Sequence, residues 1–268
     1  RNRPAQFSLF VLFIFVIAAL CAGLSPYDPD RMALGARTLP PDAAHWFGTD
    51  EYGRDYFTRA LYGGQISLMV GFLAMLFSTL IGTVVGTVSG YFGGWLDNLM
   101  MRAVDILMAI PAFFLLLVVN AYLKPGVDNI ILIISLLTWM NMSRLVRAET
   151  LSVKEREYVL YARASGEHPL RIIVRHIIPG VLPTIIVAAT LNIASAILME
   201  STLSFLGLGV QAPAASWGSM LNNAQSYIGE ASWLAMFPGI LILLTVFSFN
   251  VLGDVFRTAF EPGANRDE

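Results

Sequence analysis

Apolar residues in this chain gather into long runs, separated by polar stretches of unequal length. A hydrocarbon core about 30 Å thick takes roughly 20 apolar residues at 1.5 Å each. Six runs reach that length: residues 7–24, 66–89, 99–122, 130–151, 181–206 and 233–256. Backbone in lipid must satisfy its own hydrogen bonds, which a helix does within one segment. The expected fold class is therefore an all-α membrane protein with six transmembrane helices, a single transmembrane domain over residues 1–268. Arg1 and Arg3 ahead of the first run would also suit a secretory signal. Its 18 residues exceed the usual ~7 to 15, however, and Leu20 is too bulky to precede a lipoprotein cleavage at Cys21, so an uncleaved span is expected.

Orientation follows from the basic residues, which accumulate on the cytoplasmic side of a membrane. With the N-terminus inside, 12 of the 17 Lys and Arg lie in cytoplasmic segments, and the rest are Arg31, Arg37, Arg54, Arg59 and Lys124. Six spans then return the C-terminus to the cytoplasm. Residues 152–178 become a cytoplasmic island, 25–65 a long external segment, and 211–232 a second external segment with no Lys or Arg.

Composition strengthens the membrane reading: 56% of residues are hydrophobic and only 13% charged, where a soluble domain carries about a quarter. A net charge of -2 points to neither nucleic acid nor an acidic partner. Cys21 is the single cysteine and can form no internal disulfide.

Within the spans, Gly82, Gly86 and Gly90 stand four apart on one helical face, which suits close helix packing. Pro111 predicts a kink, as a fixed bend or as a hinge. Arg102 and Asp105, three apart beside Asp97, are expected to pair at the end of the third span. Glu200, some twenty residues past Gly180, is expected to emerge near the outer surface, and Asp254 near the inner one. In "DEYGRDYFTRALYGG" (50–64), aromatic and apolar residues at three-and-four spacing predict a short amphipathic helix, either lying on the interface or capping the bundle. Asn192 and Ser195 in the fifth span could line a path or bond between helices.

No HExxH, nucleophile elbow or phosphate loop occurs, and His45, His168 and His176 lack metal-ligand spacing to a second His or Cys. The chain is thus not expected to be an enzyme or to hold a metal or cofactor. The island reads "SVKEREYVLYARASGEHPLRIIVRHIIP". Ser152 with Glu155 fits a capping box that starts a helix, Gly166 stops it, and Pro169 opens a second helix that returns to the membrane. Arg171 and Arg175 on that second helix would suit anionic lipid. The first helix presents the small residues Ala162, Ala164, Ser165 and Gly166, expected to pack closely against a protein partner.

Here the stretch resembles the permease subunits of binding-protein-dependent ABC importers, whose cytoplasmic signature is Glu-Ala-Ala, three residues, Gly, then Ile and Pro. Ala162, Gly166, Ile177 and Pro179 occupy matching places. Leu160 and Tyr161 stand where Glu and the first Ala belong, with Glu157 one turn earlier. The resemblance extends to the dipeptide, oligopeptide and nickel branch through "FGTDEYGRDYFTRALYGG" (47–64), "GYFGGWLDNLMMRAVDILMAIP" (90–111), "STLSFLGLGVQAPAASWGSMLNNA" (201–224) and "FPGILILLTVFSFNVLGD" (237–254). It implies a type I importer fold in a bacterial or archaeal inner membrane. It implies partners as well: a homologous second permease, two ATPase subunits carrying ATP and Mg, and an external solute-binding protein. The ATPase-coupling residues would be Glu157, Leu160, Tyr161, Ala162, Arg163, Ala164, Ser165 and Gly166. Peptide is the first expected solute, with nickel or another small solute behind it. The competing class, a self-sufficient secondary transporter, would need internal symmetry or midplane charges.

Overall fold

The structure is a computed structural model that describes residues 3–111, 114, 115, 118, 119, 122 and 126–260. The main helices of the described residues are α1 (Arg3–Leu20), α2 (Tyr56–Phe92), α3 (Gly94–Ala109), α4 (Val127–Val153), α5 (Glu157–Ala164), α6 (Pro169–Phe205), α7 (Trp217–Ala224) and α8 (Trp233–Phe260), and Phe114, Leu115, Val118, Val119 and Tyr122 between α3 and α4 are helical as well. No strand occurs among the described residues. Five of the helices, α1, α2, α4, α6 and α8, are long and apolar enough to cross a membrane. Their outward faces carry Phe10, Phe13, Phe72, Leu80, Leu132 and Leu243, all exposed, as lipid rather than water would require.

The expected third span is interrupted. Helix α3 ends at Ala109, and Ile110 is extended at φ −81°, ψ 122° ahead of Pro111. A proline ring crowds the residue before it out of helical backbone, so the anticipated kink is a break, after which the Phe114 and Leu115 N–H groups donate to the Pro111 carbonyl at 2.9 and 3.2 Å and helical backbone resumes. Most of residues 112–125, Lys124 included, lie outside the described residues, as do Arg1 and Arg266.

The short helix expected over 50–64 is also different. Asp55 caps α2 by accepting from the Thr58 N–H at 2.8 Å, so the helix begins at Tyr56 and runs on for 37 residues into the second span. Its first turns do not lie free on an interface. Tyr56 is buried and donates to the Leu234 carbonyl at 2.6 Å.

Helices α2 and α4 lie side by side along the glycine row. A Cβ at Gly82 would sit 2.6 Å from Met142 Cβ, one at Gly86 2.6 Å from the Ser143 carbonyl oxygen, and one at Gly90 2.8 Å from Thr150 Cβ. The backbones approach because no side chain intervenes, which is the packing that lipid-embedded helices favour. Three apolar clusters fill the bundle. One between α2, α4 and α6 holds Val70, Ile134 and Leu203. A second, at the α5 end, holds Val146, Val153, Val159, Ile172 and Ile177. The third, at the α7 end, holds Tyr56, Trp217, Met220 and Leu234.

Candidate functional site

The α5 end of the bundle is built by two chain reversals. The apolar spacing of Val146, Thr150 and Val153 keeps α4 helical through Val153, all three buried. Ser152 therefore lies in the last turn of α4, not at the start of a new helix, and the expected capping box is not formed. Helix α5 instead begins after Arg156, which is extended (φ −71°, ψ 145°). It stops as expected at Gly166, whose φ is +77°. The Glu167 N–H donates to the Ala162 carbonyl at 3.1 Å and the Gly166 N–H to that of Arg163 at 3.0 Å, which closes the helix end. Pro169 then opens α6, with His168 Nδ1 accepting the Leu170 N–H at 3.3 Å. A widened turn at Ile173–Ile177 follows, directly before Pro179, which has no N–H to offer the ladder.

Burial divides the predicted coupling residues. Val159 and Ala162 face inward onto Val153, Ile172 and Ile177. Ala162 is buried in this chain's own core yet also lines the groove beside α5, so a bulky residue there would meet that core as well as anything seated in the groove. Glu157, Leu160, Tyr161, Arg163, Ala164, Ser165 and Gly166 are exposed, Tyr161 at 77%. A groove of about 660 Å³ runs between α5 and the base of α6, lined by Glu157, Tyr158, Tyr161, Ala162, Ser165, Glu167 and His176. His176 Nε2 lies 3.1 Å from Glu167 Oε2. The helix is tied to the bundle by the Arg163 guanidinium over the Tyr91 ring at 5.6 Å, and by close approach of Tyr158 and Val153 to Gly180.

Beside it, α3 hangs from α4. Arg147 donates to Asp97 through Nε at 2.5 Å and Nη2 at 2.6 Å, Ser89 donates to the same carboxylate, and Arg144 pairs with Asp105. The expected Arg102–Asp105 pair is not made. Asp105 finds its partner on a neighbouring helix, and Arg102 is exposed. Hydrogen bonds from Arg147 hold the Asp97 carboxyl below the usual carboxylate range, against a smaller opposing effect of burial and with help from Ser89. Because the folded value lies below the unfolded one, this stabilisation is complete above about pH 4 and fades as pH falls through the folded value. Asp97→Asn should therefore lose about 1.5–3 kcal/mol at pH 7, and thermal unfolding in detergent should show its gap to wild type closing in acid. A gap unchanged down to about pH 3 would rule out this charge effect.

The opposite end carries the 25–65 segment and α7. Asp50 accepts the Tyr52 and Arg54 N–H groups, both at 2.9 Å, and Arg54 Nε at 2.6 Å. Arg59 donates to the Pro29 carbonyl at 2.9 Å, to Asp30 at 3.1 Å and to the Pro213 carbonyl at 3.5 Å, joining two distant segments. Burial pushes the neighbouring Glu51 carboxyl above its ordinary range. Tyr52, Arg59, Gln211, Ala212, Asn222 and Asn223 line a concavity of about 460 Å³ here. Trp217 is buried, its indole donating to the Ala60 carbonyl at 2.9 Å, and it lies flat against Gly64. It therefore belongs to the core of this end, while Tyr52, Gln211 and Ala212 are exposed.

On α6, Asn192 is half-buried and Ser195 exposed, three residues apart on one face; Ser195 Oγ donates back to the Leu191 carbonyl at 3.3 Å. Glu200 is corrected outright: it is fully buried, not emerging at a surface. The readable signal was Ser204, whose spacing of four places a hydroxyl over the carboxyl. Among the described residues no cluster of potential metal ligands occurs.

Five long apolar helices, with polar clusters gathered at the two ends of the bundle, are the build of a multi-pass membrane protein. A family model described as the inner membrane component of binding-protein-dependent transport systems matches residues 82–266, and one for the N-terminal transmembrane domain of oligopeptide transport permease C matches 1–41. The dipeptide transport system permease protein of Bacillus subtilis (strain 168) is 43% identical over 268 residues, covering 99% of this chain and 84% of that one. The oligopeptide transport system permease protein of the same organism is 38% identical over 262 residues, covering 97% and 86%. A probable D,D-dipeptide permease of Escherichia coli (strain K12) is 40% identical over 257 residues, covering 96% and 86%. A chain of the MetNI methionine ABC transporter, in an inward-facing conformation, shares the fold with a TM-score of 0.63 at 20% identity, covering 75% of this chain and 95% of that one. The chain belongs to the family of binding-protein-dependent transport system inner membrane components.

Proposed function

We propose that this chain is one of two homologous permeases in an ABC importer of peptides, working with two ATPase subunits and an external binding protein. The peptide assignment rests on the dipeptide and oligopeptide relatives. In this reading the chain crosses the membrane six times with both termini in the cytoplasm, α5 faces the ATPase, and the α7 end faces the binding protein. ATP and Mg are held by the ATPase subunits, and Asn192 and Ser195 line the path.

The observation that carries the coupling reading is the exposed Leu160–Tyr161 pair on α5, presented at the end of helices that run the length of the bundle. Large apolar side chains left open on a short helix beside a groove are anchors for a protein partner. The departure from the family signature falls on these two residues, so apolar contact takes the place of the missing carboxylate. Glu157 lies on the rim of the same groove.

A photoreactive residue at Tyr161 should crosslink an ATPase subunit, and one at Tyr52 or Ala212 the binding protein. In a Cys21→Ser background stripped of ATPase subunits, Tyr161→Cys should react with an impermeant maleimide only in inside-out vesicles. Crosslinks in the reversed pattern would invert the topology. Mass spectrometry of the ligand carried by the cognate binding protein decides the solute: a peptide is expected, and a metal or sugar would overturn that assignment.

A further inference from the structure

Glu200 is 0% exposed near the far end of α6, and its carboxyl gathers hydroxyls from two helices. Ser67 on α2 donates to Oε2 at 2.9 Å, and Ser204, one turn further along α6, donates to Oε1 at 2.7 Å. Both serines are used twice. Ser67 Oγ accepts the N–H of Trp217, the first residue of α7, at 3.2 Å. Ser204 Oγ accepts the N–H of Val210, in the segment joining α6 to α7, at 3.0 Å. One carboxyl thereby fastens α2, α6, the 206–216 segment and α7 together. The backbone closes tightly over this point: a Cβ at Gly209 would lie 2.1 Å from Ser204 Oγ, and one at Gly218 2.6 Å from Ser201 Cα.

A carboxyl buried in a membrane helix is expensive to keep and is a functional candidate by default. No packing need accounts for it, since Leu or Met would fill a similar volume. What an acid supplies is two diverging acceptor oxygens for the hydroxyls of Ser67 and Ser204, with a longer contact from Ser201 at 3.5 Å, while Ser67 and Ser204 stay free to accept backbone N–H groups. The helix it ends is 37 residues long, about 55 Å at 1.5 Å per residue. Its other end, Pro169, lies three residues beyond Gly166.

We propose that Glu200 is a positioning residue that clamps the 206–224 segment onto the end of α6, so that a load placed on that segment by a docked binding protein is delivered along α6 to α5. This rests on the assignment of the α7 end to the binding protein and of α5 to the ATPase. The clamp transmits docking; it touches neither solute nor nucleotide.

The test uses the whole complex in proteoliposomes, with the solute-loaded binding protein as probe and ATP hydrolysis measured with and without it. Glu200→Ala removes both acceptors. Hydrolysis without the binding protein is expected to stay near the wild-type rate, while stimulation by the binding protein falls by about five-fold or more, the lower range of coupling between distant sites. Glu200→Gln, which keeps an acceptor oxygen, is expected to restore most of it. If Glu200→Ala does not assemble, Ser67→Ala removes the α2 hydroxyl from the carboxyl together with the acceptor of the Trp217 N–H, leaves Ser204 in place, and carries the same expectation. Full stimulation in the alanine variant that assembles overturns the proposal, as does an equal loss in Glu200→Gln. A wild-type complex that the binding protein does not stimulate at all overturns the underlying assignment of the two ends instead.

Discussion

Gly86→Leu is expected to abolish recovery of folded protein. An added Cβ alone would lie 2.6 Å from the Ser143 carbonyl oxygen, 2.8 Å from Val146 Cβ and 2.9 Å from the Arg147 amide nitrogen. Two of those three atoms are backbone and cannot rotate aside, so α2 and α4 would have to separate along their shared face. Overpacking usually costs about 1–3 kcal/mol where side chains can yield; here the loss should exceed that range. It should also propagate to Gly82 and Gly90, whose contacts depend on the same spacing. Size-exclusion chromatography of a fluorescent fusion should show the monodisperse peak reduced to background. Gly239→Ala is the control, because nothing lies within 4 Å of a Cβ there. A wild-type peak for Gly86→Leu would mean that α2 and α4 do not meet in this way.

The double variant Leu160→Asp with Tyr161→Asp is expected to stop solute uptake without harming the fold. Leu160 is 43% exposed and Tyr161 77% exposed, so their removal should change this chain's own stability by about 0.5 kcal/mol or less. If both side chains seat in an ATPase subunit, the variant replaces two apolar anchors with carboxylates that lose water without gaining partners. Two anchors at about 2 kcal/mol each would weaken assembly by roughly a thousand-fold. The observable is loss of co-purifying ATPase together with loss of uptake, while the variant still inserts and migrates as wild type. Retained uptake with retained ATPase would place the docking surface elsewhere.

The parts of this molecule that sequence makes legible are those decided by a residue's own size or backbone. Gly82, Gly86 and Gly90 announce a close helix contact because nothing else leaves such a face bare. Gly166 announces a reversal because its φ of +77° excludes most other residues. Partner choice is not written locally. Asp105 pairs with Arg144, 39 positions away, and only folding brings α4 past α3 to outbid the nearer Arg102. The same holds for Ala162: its smallness suggested an external contact, and its spacing did not reveal that Val153 and Ile177 would also pack on it from within. Counting residues from Gly180 gave Glu200 a fair depth along its helix. It could not reveal that the chain after Phe205 folds back and roofs the carboxyl with Val210 and Trp217.

The corner between α2 and α3 is made by Gly93 and Gly94, both with positive φ, and a Cβ at Gly94 would meet nothing within 4 Å. Within α3 only Asp97 and Val104 are buried, so this helix is seated by two charge pairs instead of by an oily face. The two pairs answer differently to the surrounding electrolyte. Exposed charges feel each other over about 10 Å in 0.1 M salt but only about 3 Å in 1 M, whereas buried pairs are screened far less; Arg144 and Asp105 are exposed, while Asp97 is buried against Arg147. Rising ionic strength should therefore free the Ala109 end of α3 while its Gly94 end stays pinned, which makes a salt-dependent outrigger out of a helix that its amino-acid pattern presents as one more apolar run.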